Sequence, residues 1–433
     1  MRLGGRLQAS VEVLEDVLER RTPVSLALRD WGKAHRFAGS KDRSAIGNYV
    51  LDSLRHKSSL AYRMDNESAR SLVLGTAVFL YGMNPKTLNT DFEGDEHAPD
   101  KMTATELANL SGAIDLESAP DWIRADIPEW LWPAFENNFG EESIKEGQAL
   151  TARPPLDLRC NTIKMTPEKA GKILADFGAE PCQLSPVGFR VPPTTGDGRL
   201  PNIQIEEIFQ TGGVEIQDEG SQLVSLLVDA KPGETILDYC AGGGGKALAM
   251  AADMNNEGAV HTFDIDKRRL APVYQRSQRA GADIIKVHQP PEKTLNFLRG
   301  KCDRVLIDAP CTGVGTWRRK PDAKWRLSEE SLEVRNKEQA QVLKAAKEFV
   351  RPGGLLFYVT CSVLAEENEG QVYKFLESNP EFTLISAGEV WEEKFGVKDF
   401  KPWSEDGCTI TLTPATTNTD GFFMAVMEKK TDD

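Results

Sequence analysis

At 433 residues the chain is too long for one ordinary hydrophobic core, so two or three domains are expected. With 40% hydrophobic and 27% charged residues it reads as an ordinary soluble globular protein. A net charge of −14 bears on solubility and steering and leaves room for a local basic face that binds nucleic acid. The longest apolar stretch, Ser71 to Met83, is too short to span a bilayer, and MRLGGRLQAS at the amino terminus lacks a secretory hydrophobic core. Seven scattered cysteines without a close CxxC pair argue against a disulfide framework or a zinc site and suit reduced thiols in a cytoplasm. His35, His56, His97, His261 and His288 show no ligand spacing, so no metal is expected.

The first part of the chain, residues 1–145, reads as helical. Leu7, Val11, Leu14 and Leu18 recur at helical spacing until Pro23 stops the run, and a second segment starts at Ser40 with Ile46, Val50 and Leu54 on one face. Leu72 to Tyr81 is apolar all round and predicts a buried helix, whereas Asp91 to Lys101 predicts an exposed acidic loop. Residues 150–215 change texture. PLDLRCNTIK and GFRVP read as strands on either side of the helix TPEKAGKILADFG, a small α+β unit. Residues 216–433 then alternate strand and helix, with strands at Thr235–Cys240, Ala259–Ile265, Ile284–Gln289, Arg304–Ala309 and Leu355–Cys361, and helices including Ser328–Val350 and Leu364–Ser378. Two tail strands, Thr409–Thr413 and Phe422–Glu428, are joined closely enough to predict antiparallel pairing. A parallel α/β sheet finished by an antiparallel hairpin is associated with methyltransferases that use S-adenosylmethionine; a dinucleotide dehydrogenase is expected to continue the alternation.

DYCAGGGGKALAMAA joins the first of these strands to a helix through Gly242, Gly243, Gly244 and Gly245, a turn whose bare backbone lets a ligand approach. A Walker-type phosphate loop fails on both flanks, because Cys240 stands where the leading glycine belongs and Ala247 where Ser or Thr would hold magnesium. Asp264, ending the second strand in VHTFDIDKRRL, can accept both hydroxyls of a ribose or cap the next helix. Adenosine fits these residues, and they do not separate adenosylmethionine from NAD.

Two further strand ends carry thiols: RVLIDAPC ends at Cys311 and LLFYVTCS at Cys361 and Ser362. A lone buried cysteine is usually inert packing, and Cys160, Cys182, Cys302 and Cys408 are read that way, as is Cys240 within the turn. A pair at one sheet edge, one following Asp308-Ala-Pro310, suits covalent chemistry on a pyrimidine: a thiolate adds to carbon-6, and the resulting enamine attacks a methyl donor from carbon-5. TWRRKPDAKWR, Thr316 to Arg326, follows at once with five cations and two tryptophans. Arg318, Arg319, Lys324 and Trp325 are candidates there for phosphate contact and base stacking, the plainer alternative being a solvated loop.

QDEGSQL, DYCAGGGGK, DIDKRRL, DAPCTGVGTWRRKPDAKW, TCSVLAEENEGQV and DGFF together resemble the Nop/Sun-type RNA cytosine-C5 methyltransferases, closest to the bacterial Sun/Fmu-like ribosomal branch, from about Arg153 onward. The resemblance implies a Rossmann-like class I methyltransferase domain behind a small α+β subdomain. KDRSAIGNYVLDSLRHKSSL, with Asp42, Arg43 and Arg55, is similar to the all-α NusB-like RNA-binding domain that precedes it in that branch. It implies Cys361 as nucleophile, Cys311 in product release and Asp308 on the cytosine, with S-adenosylmethionine held by Cys240, Ala241, Gly242 to Gly245, Lys246, Asp264, Arg269 and Asp308. The substrate implied is structured RNA, 16S ribosomal RNA first and transfer RNA as the alternative, and a monomer without metal is expected. An assembly factor without turnover and a DNA methyltransferase acting through Cys311 are the rival readings. The chain departs from the pattern at Ala247, commonly threonine, and after the third strand, where KVHQPPEK has no carboxylate before Glu292.

Overall fold

Helices form where the amino-terminal apolar spacing places them in this computed structural model, which describes residues 1–396 and 400–431. Leu3–Arg20 buries Leu7, Val11 and Leu14 and ends at Arg21, whose φ of 52° stops the helix before Pro23. Ser40–Arg55 buries Ile46, Val50 and Leu54 against it. The stretch expected as one helix is Ala69–Gly75 followed by a wider π turn over Thr76–Leu80. There the Thr76 hydroxyl donates to the Leu72 carbonyl at 2.8 Å and meets the Ser53 hydroxyl at 2.8 Å, the kind of side-chain insertion that loosens a helical ladder.

The described residues divide into two compact units: the first comprises Met1–Pro154, Pro193–Leu200 and Trp317–Leu327, the second the remainder. Inside the first, Asp52 is a buried hub. It accepts from Arg55 at 2.6 Å and from Arg153 at 2.6 Å, and Tyr81 donates to it at 3.0 Å. Burial alone would push the Asp52 carboxyl up; Arg153 and Arg55 outweigh burial and hold it below the usual range. A depressed carboxylate contributes stability above its unfolded pKa, and that contribution is lost as pH falls through the folded value. Asp52→Asn, which leaves two buried guanidinium groups short of their counter-ion, is expected to cost about 3–5 kcal/mol at neutral pH. In denaturant unfolding the gap to the parent should close below about pH 4. A loss under about 1 kcal/mol at pH 7 would refute the hub.

In the second unit β1 (Leu156–Cys160), β2 (Glu180–Pro181), β3 (Gly188–Val191) and β4 (Val214–Ile216) form a small antiparallel sheet in the order β2-β3-β1-β4. The stretch 150–215 therefore groups with the second unit, apart from its first residues and Pro193–Leu200. The eight-stranded sheet is built from β5 (Thr235–Asp238), β6 (Ala259–Phe263), β7 (Ile285–His288), β8 (Cys302–Asp308), β9 (Val350–Thr360), β10 (Phe382–Leu384), β11 (Thr409–Leu412) and β12 (Phe422–Lys429). Its order is β10-β12-β9-β8-β5-β6-β7, with β11 on β12. Strands β5 to β9 run parallel, and β12 pairs antiparallel with both β9 and β11, the expected Rossmann-like methyltransferase arrangement. Side chains alternate between two cores: Leu306 faces the cluster of Leu223, Met250 and Trp391, while Val305 and Ile307 face that of Phe349, Tyr358 and Phe423.

Strand β10 was absent from the sequence reading because three residues carry too little pattern. Strand β9 starts at Val350 because Gly353, at φ 68°, lets the chain turn through Pro352-Gly353-Gly354 without leaving the sheet. No helix among the described residues is long and apolar enough to cross a membrane.

Candidate active site at the carboxyl edge of the sheet

Strand order reverses at β5, whose neighbours β6 and β8 lead to opposite halves of the sheet. Ligands of open α/β sheets bind at the carboxyl ends beside such a switch point. The glycine turn emerges there. Gly242 and Gly244 hold φ of 50° and 79°, and the helix Gly245–Asp253 starts behind them. Asp264 braces the turn: its buried carboxylate accepts from the Gly242 amide at 3.0 Å and the Asp266 amide at 2.9 Å, with the Arg269 guanidinium 3.6 Å away. Arg276, held by Glu215 at 2.9 Å, donates to the Gly243 carbonyl at 2.6 Å. Cys240, Ala241, the four glycines, Lys246, Asp264 and Arg269 are thus gathered in one place. Burial, with Asp264 and Asp238 adding to it, pushes the Cys240 thiol well up, so it stays protonated and packs.

Asp238, at the end of β5, escaped sequence reasoning. It is 1% exposed, and neither oxygen makes a regular hydrogen bond among the described residues. Burial, then the Asp308 charge, raises its carboxyl to about 8, although Lys246 and the Ala247 amide pull the other way. With its pKa so raised, the Asp238 carboxyl keeps its proton at neutral pH, buried beside the glycine turn. Glu292, the first carboxylate after β7, accepts from the Tyr239 hydroxyl at 2.7 Å.

Lys246 and Asp308 form an ion pair of 2.7 Å. Burial works against the Lys246 charge, but Asp308 more than offsets it, and Asp238 and Cys361 add to the anionic side, so its pKa is raised. Cys311 Sγ lies 3.4 Å from Cys361 Sγ, and both residues are partly buried. The hydrogen bond to Cys361, burial, and the Glu367 and Asp308 charges all push the Cys311 thiol well up. Cys311 therefore keeps its proton, and Cys361 is among the groups whose field raises the Lys246 pKa. The loops also pack backbone on backbone. A Cβ on Gly315 would fall 2.3 Å from the Gly421 carbonyl oxygen, and the Gly421 amide donates to the Gly315 carbonyl at 2.8 Å. Sequence reasoning missed this contact, whose only trace is a glycine in each of TGVG and DGFF.

The basic segment after Cys311 lies elsewhere. Trp317–Leu327 belongs to the helical unit, where Trp317 stacks on Phe135 with centroids 6.3 Å apart. Lys324, 1% exposed, donates to the Arg55 carbonyl at 2.9 Å and the Asp126 carbonyl at 2.7 Å, and the Trp325 indole donates to the Leu54 carbonyl at 2.6 Å. The Arg318 side chain is 2% exposed, and its carbonyl accepts from Arg55 at 2.7 and 2.9 Å. Of the residues expected to contact phosphate, Arg318 and Lys324 are thus buried, while Trp325, expected to stack on a base, is partly buried with its indole N–H committed to a carbonyl. Arg319 is only partly buried. Burial lowers the Lys324 pKa to about 8. Lys324→Ala, which strands two carbonyls, is expected to destabilise the protein by about 2–4 kcal/mol in denaturant unfolding. An unchanged midpoint would contradict the structural role. Among the described residues no cluster of three or more His, Cys, Asp or Glu is placed to hold a metal ion.

Comparison with known proteins agrees with this geometry. Residues 225–428 match the family model of the 16S rRNA methyltransferase RsmB/F. A Bacillus subtilis protein described as a probable ribosomal RNA small subunit methyltransferase B is 31% identical over 70% of this chain and 66% of its own length. The ribosomal RNA small subunit methyltransferase B of Citrobacter koseri is 31% identical over 73% of this chain and 70% of its own, so the match spans about two thirds of these relatives. A solved methyltransferase homologue from Pyrococcus horikoshii superposes with a TM-score of 0.59 at 26% identity, covering 71% of this chain and 97% of that one. By descent as well as by the sheet edge that gathers its glycine turn and paired thiols, the chain belongs to the RsmB/F family of 16S rRNA methyltransferases.

Proposed function

We propose that the protein methylates carbon-5 of a cytosine in RNA, 16S ribosomal RNA being the first candidate, through a covalent adduct of Cys361. The observation that carries this reading is the 3.4 Å thiol pair beside the Lys246–Asp308 ion pair. S-adenosylmethionine, the cofactor of this methyltransferase family, supplies an electrophilic methyl group when bound. Residues 240–246, Asp264 and Arg269 would hold it.

In this reading Cys361 gives up its proton under the influence of Lys246, and its sulfur adds to carbon-6 of the base. Asp308, one-third exposed and held by Lys246, hydrogen-bonds the ring so that electron density shifts toward carbon-5. After methylation solvent takes the carbon-5 proton, the ring double bond re-forms as the carbon–sulfur bond breaks, and the departing Cys361 sulfur takes the proton of Cys311, which is then reprotonated from solvent. A cytosine reaches these groups only outside its stack, so a flipped or single-stranded base is expected. The amino-terminal helical unit is proposed to contribute RNA binding. Incubation with labelled S-adenosylmethionine and either 16S rRNA or tRNA, followed by mapping of 5-methylcytosine, tests the reading. Label at one rRNA cytosine is the expected result, label on tRNA alone would move the substrate, and no label on any RNA would leave an assembly factor.

A further inference from the structure

Glu367 lies six residues after Cys361 and is 0% exposed. A fully buried carboxylate is costly unless it is well bonded, and this one is held from several sides. One oxygen accepts from the Thr312 amide at 2.8 Å and from the Gln339 side-chain amide at 3.0 Å, and the other accepts from the Thr312 hydroxyl. The same Gln339 amide donates to the Pro310 carbonyl at 2.9 Å. Both neighbours of Cys311 are thereby fixed. On the other loop, the Glu367 carbonyl accepts from Tyr358 at 2.7 Å. Next to it, Asn368 accepts from the Thr360 hydroxyl at 2.6 Å and donates to the Ser362 carbonyl at 3.1 Å. Both neighbours of Cys361 are fixed by the adjacent residue.

We infer that Glu367 is a positioning residue that sets the spacing of the two thiols by clamping the Pro310–Thr312 loop onto the segment that carries Cys361. It touches no reacting atom in this arrangement. Its side chain grips the Cys311 loop through Thr312 and also reaches Ser362, but the Cys361 loop keeps a second grip through Asn368. Loss of the carboxylate therefore loosens the Cys311 loop more than the Cys361 loop. Because Cys311 acts in release in the reading above, on which this inference rests, the defect should fall on turnover after methylation and spare adduct formation.

Glu367→Gln replaces one acceptor by an NH2 group that faces the Thr312 amide and hydroxyl. Thr312→Val removes one bond from the opposite side, while Thr312→Ser retains it. With RNA and S-adenosylmethionine, Glu367→Gln and Thr312→Val should slow multiple turnover by at least about tenfold. Methyl transfer in a single turnover should stay within about threefold of the parent, with a protein–RNA adduct accumulating on a denaturing gel. Thr312→Ser should behave as the parent does. Equal losses in single and multiple turnover, or no loss in either, would overturn the inference. Should Glu367→Gln not fold, the Val and Ser variants at position 312 decide the matter alone. A parent protein that methylates no RNA would refute the proposed function alone, and the clamp is then judged by disulfide formation with diamide between the thiols 3.4 Å apart, slower in Thr312→Val than in the parent if it holds and equal in both if it does not.

Discussion

Cys361→Ser should abolish RNA methylation, and Cys311→Ser should leave the protein caught on its substrate. The serine hydroxyl at position 361 has neither the acidity nor the nucleophilicity to add to carbon-6, so the loss should exceed about 10⁴-fold, the scale of removing a covalent nucleophile. At position 311 the consequence differs because the two sulfurs differ. The Cys361 hydrogen bond and burial push the Cys311 thiol up, which suits a group that assists departure. Without it, methylation proceeds once and the adduct persists on a denaturing gel. The rival reading, attack by Cys311, predicts the reverse pattern in the two variants.

Asp308→Ala is expected to lower kcat by about 10²–10⁴-fold, the range for a group that moves or polarises a proton in the transition state. The carboxylate is both the partner of Lys246 and the only acidic side chain in the Asp308–Cys311 loop. Its removal also takes from Lys246, a buried cation, its main counter-charge, and takes from the Asp238 carboxyl the like charge that helps hold it near 8. Asp308→Asn keeps the shape and separates the two effects: affinity for S-adenosylmethionine by calorimetry should stay within about threefold while kcat falls nearly as far as in the alanine variant. Retention of more than about a tenth of the parent kcat by Asp308→Asn would remove Asp308 from the chemistry.

The glycine turn and the two thiol-bearing strand ends were legible because each is local: apolar run, then glycine or cysteine, at a sheet edge whose direction follows from strand–helix alternation. Asp264 was legible as a site residue, but its observed work is to hold the Gly242 amide, a partner 22 residues away that spacing does not reveal. Glu367 and Asp238 were not legible. Carboxylates in EENE and LDYC look like ordinary surface charge until the fold buries them. In the basic segment, five cations and two tryptophans read alike from sequence, and only tertiary packing shows that Lys324 turns inward onto carbonyls.

The most direct test of the covalent mechanism is to trap Cys311→Ser with methylated RNA, digest the complex, and locate the nucleotide-bearing peptide by mass spectrometry. The account predicts a nucleotide mass on Cys361. A nucleotide on any other cysteine, or a trapped complex that forms equally well when Cys361 is also replaced by serine, would contradict it.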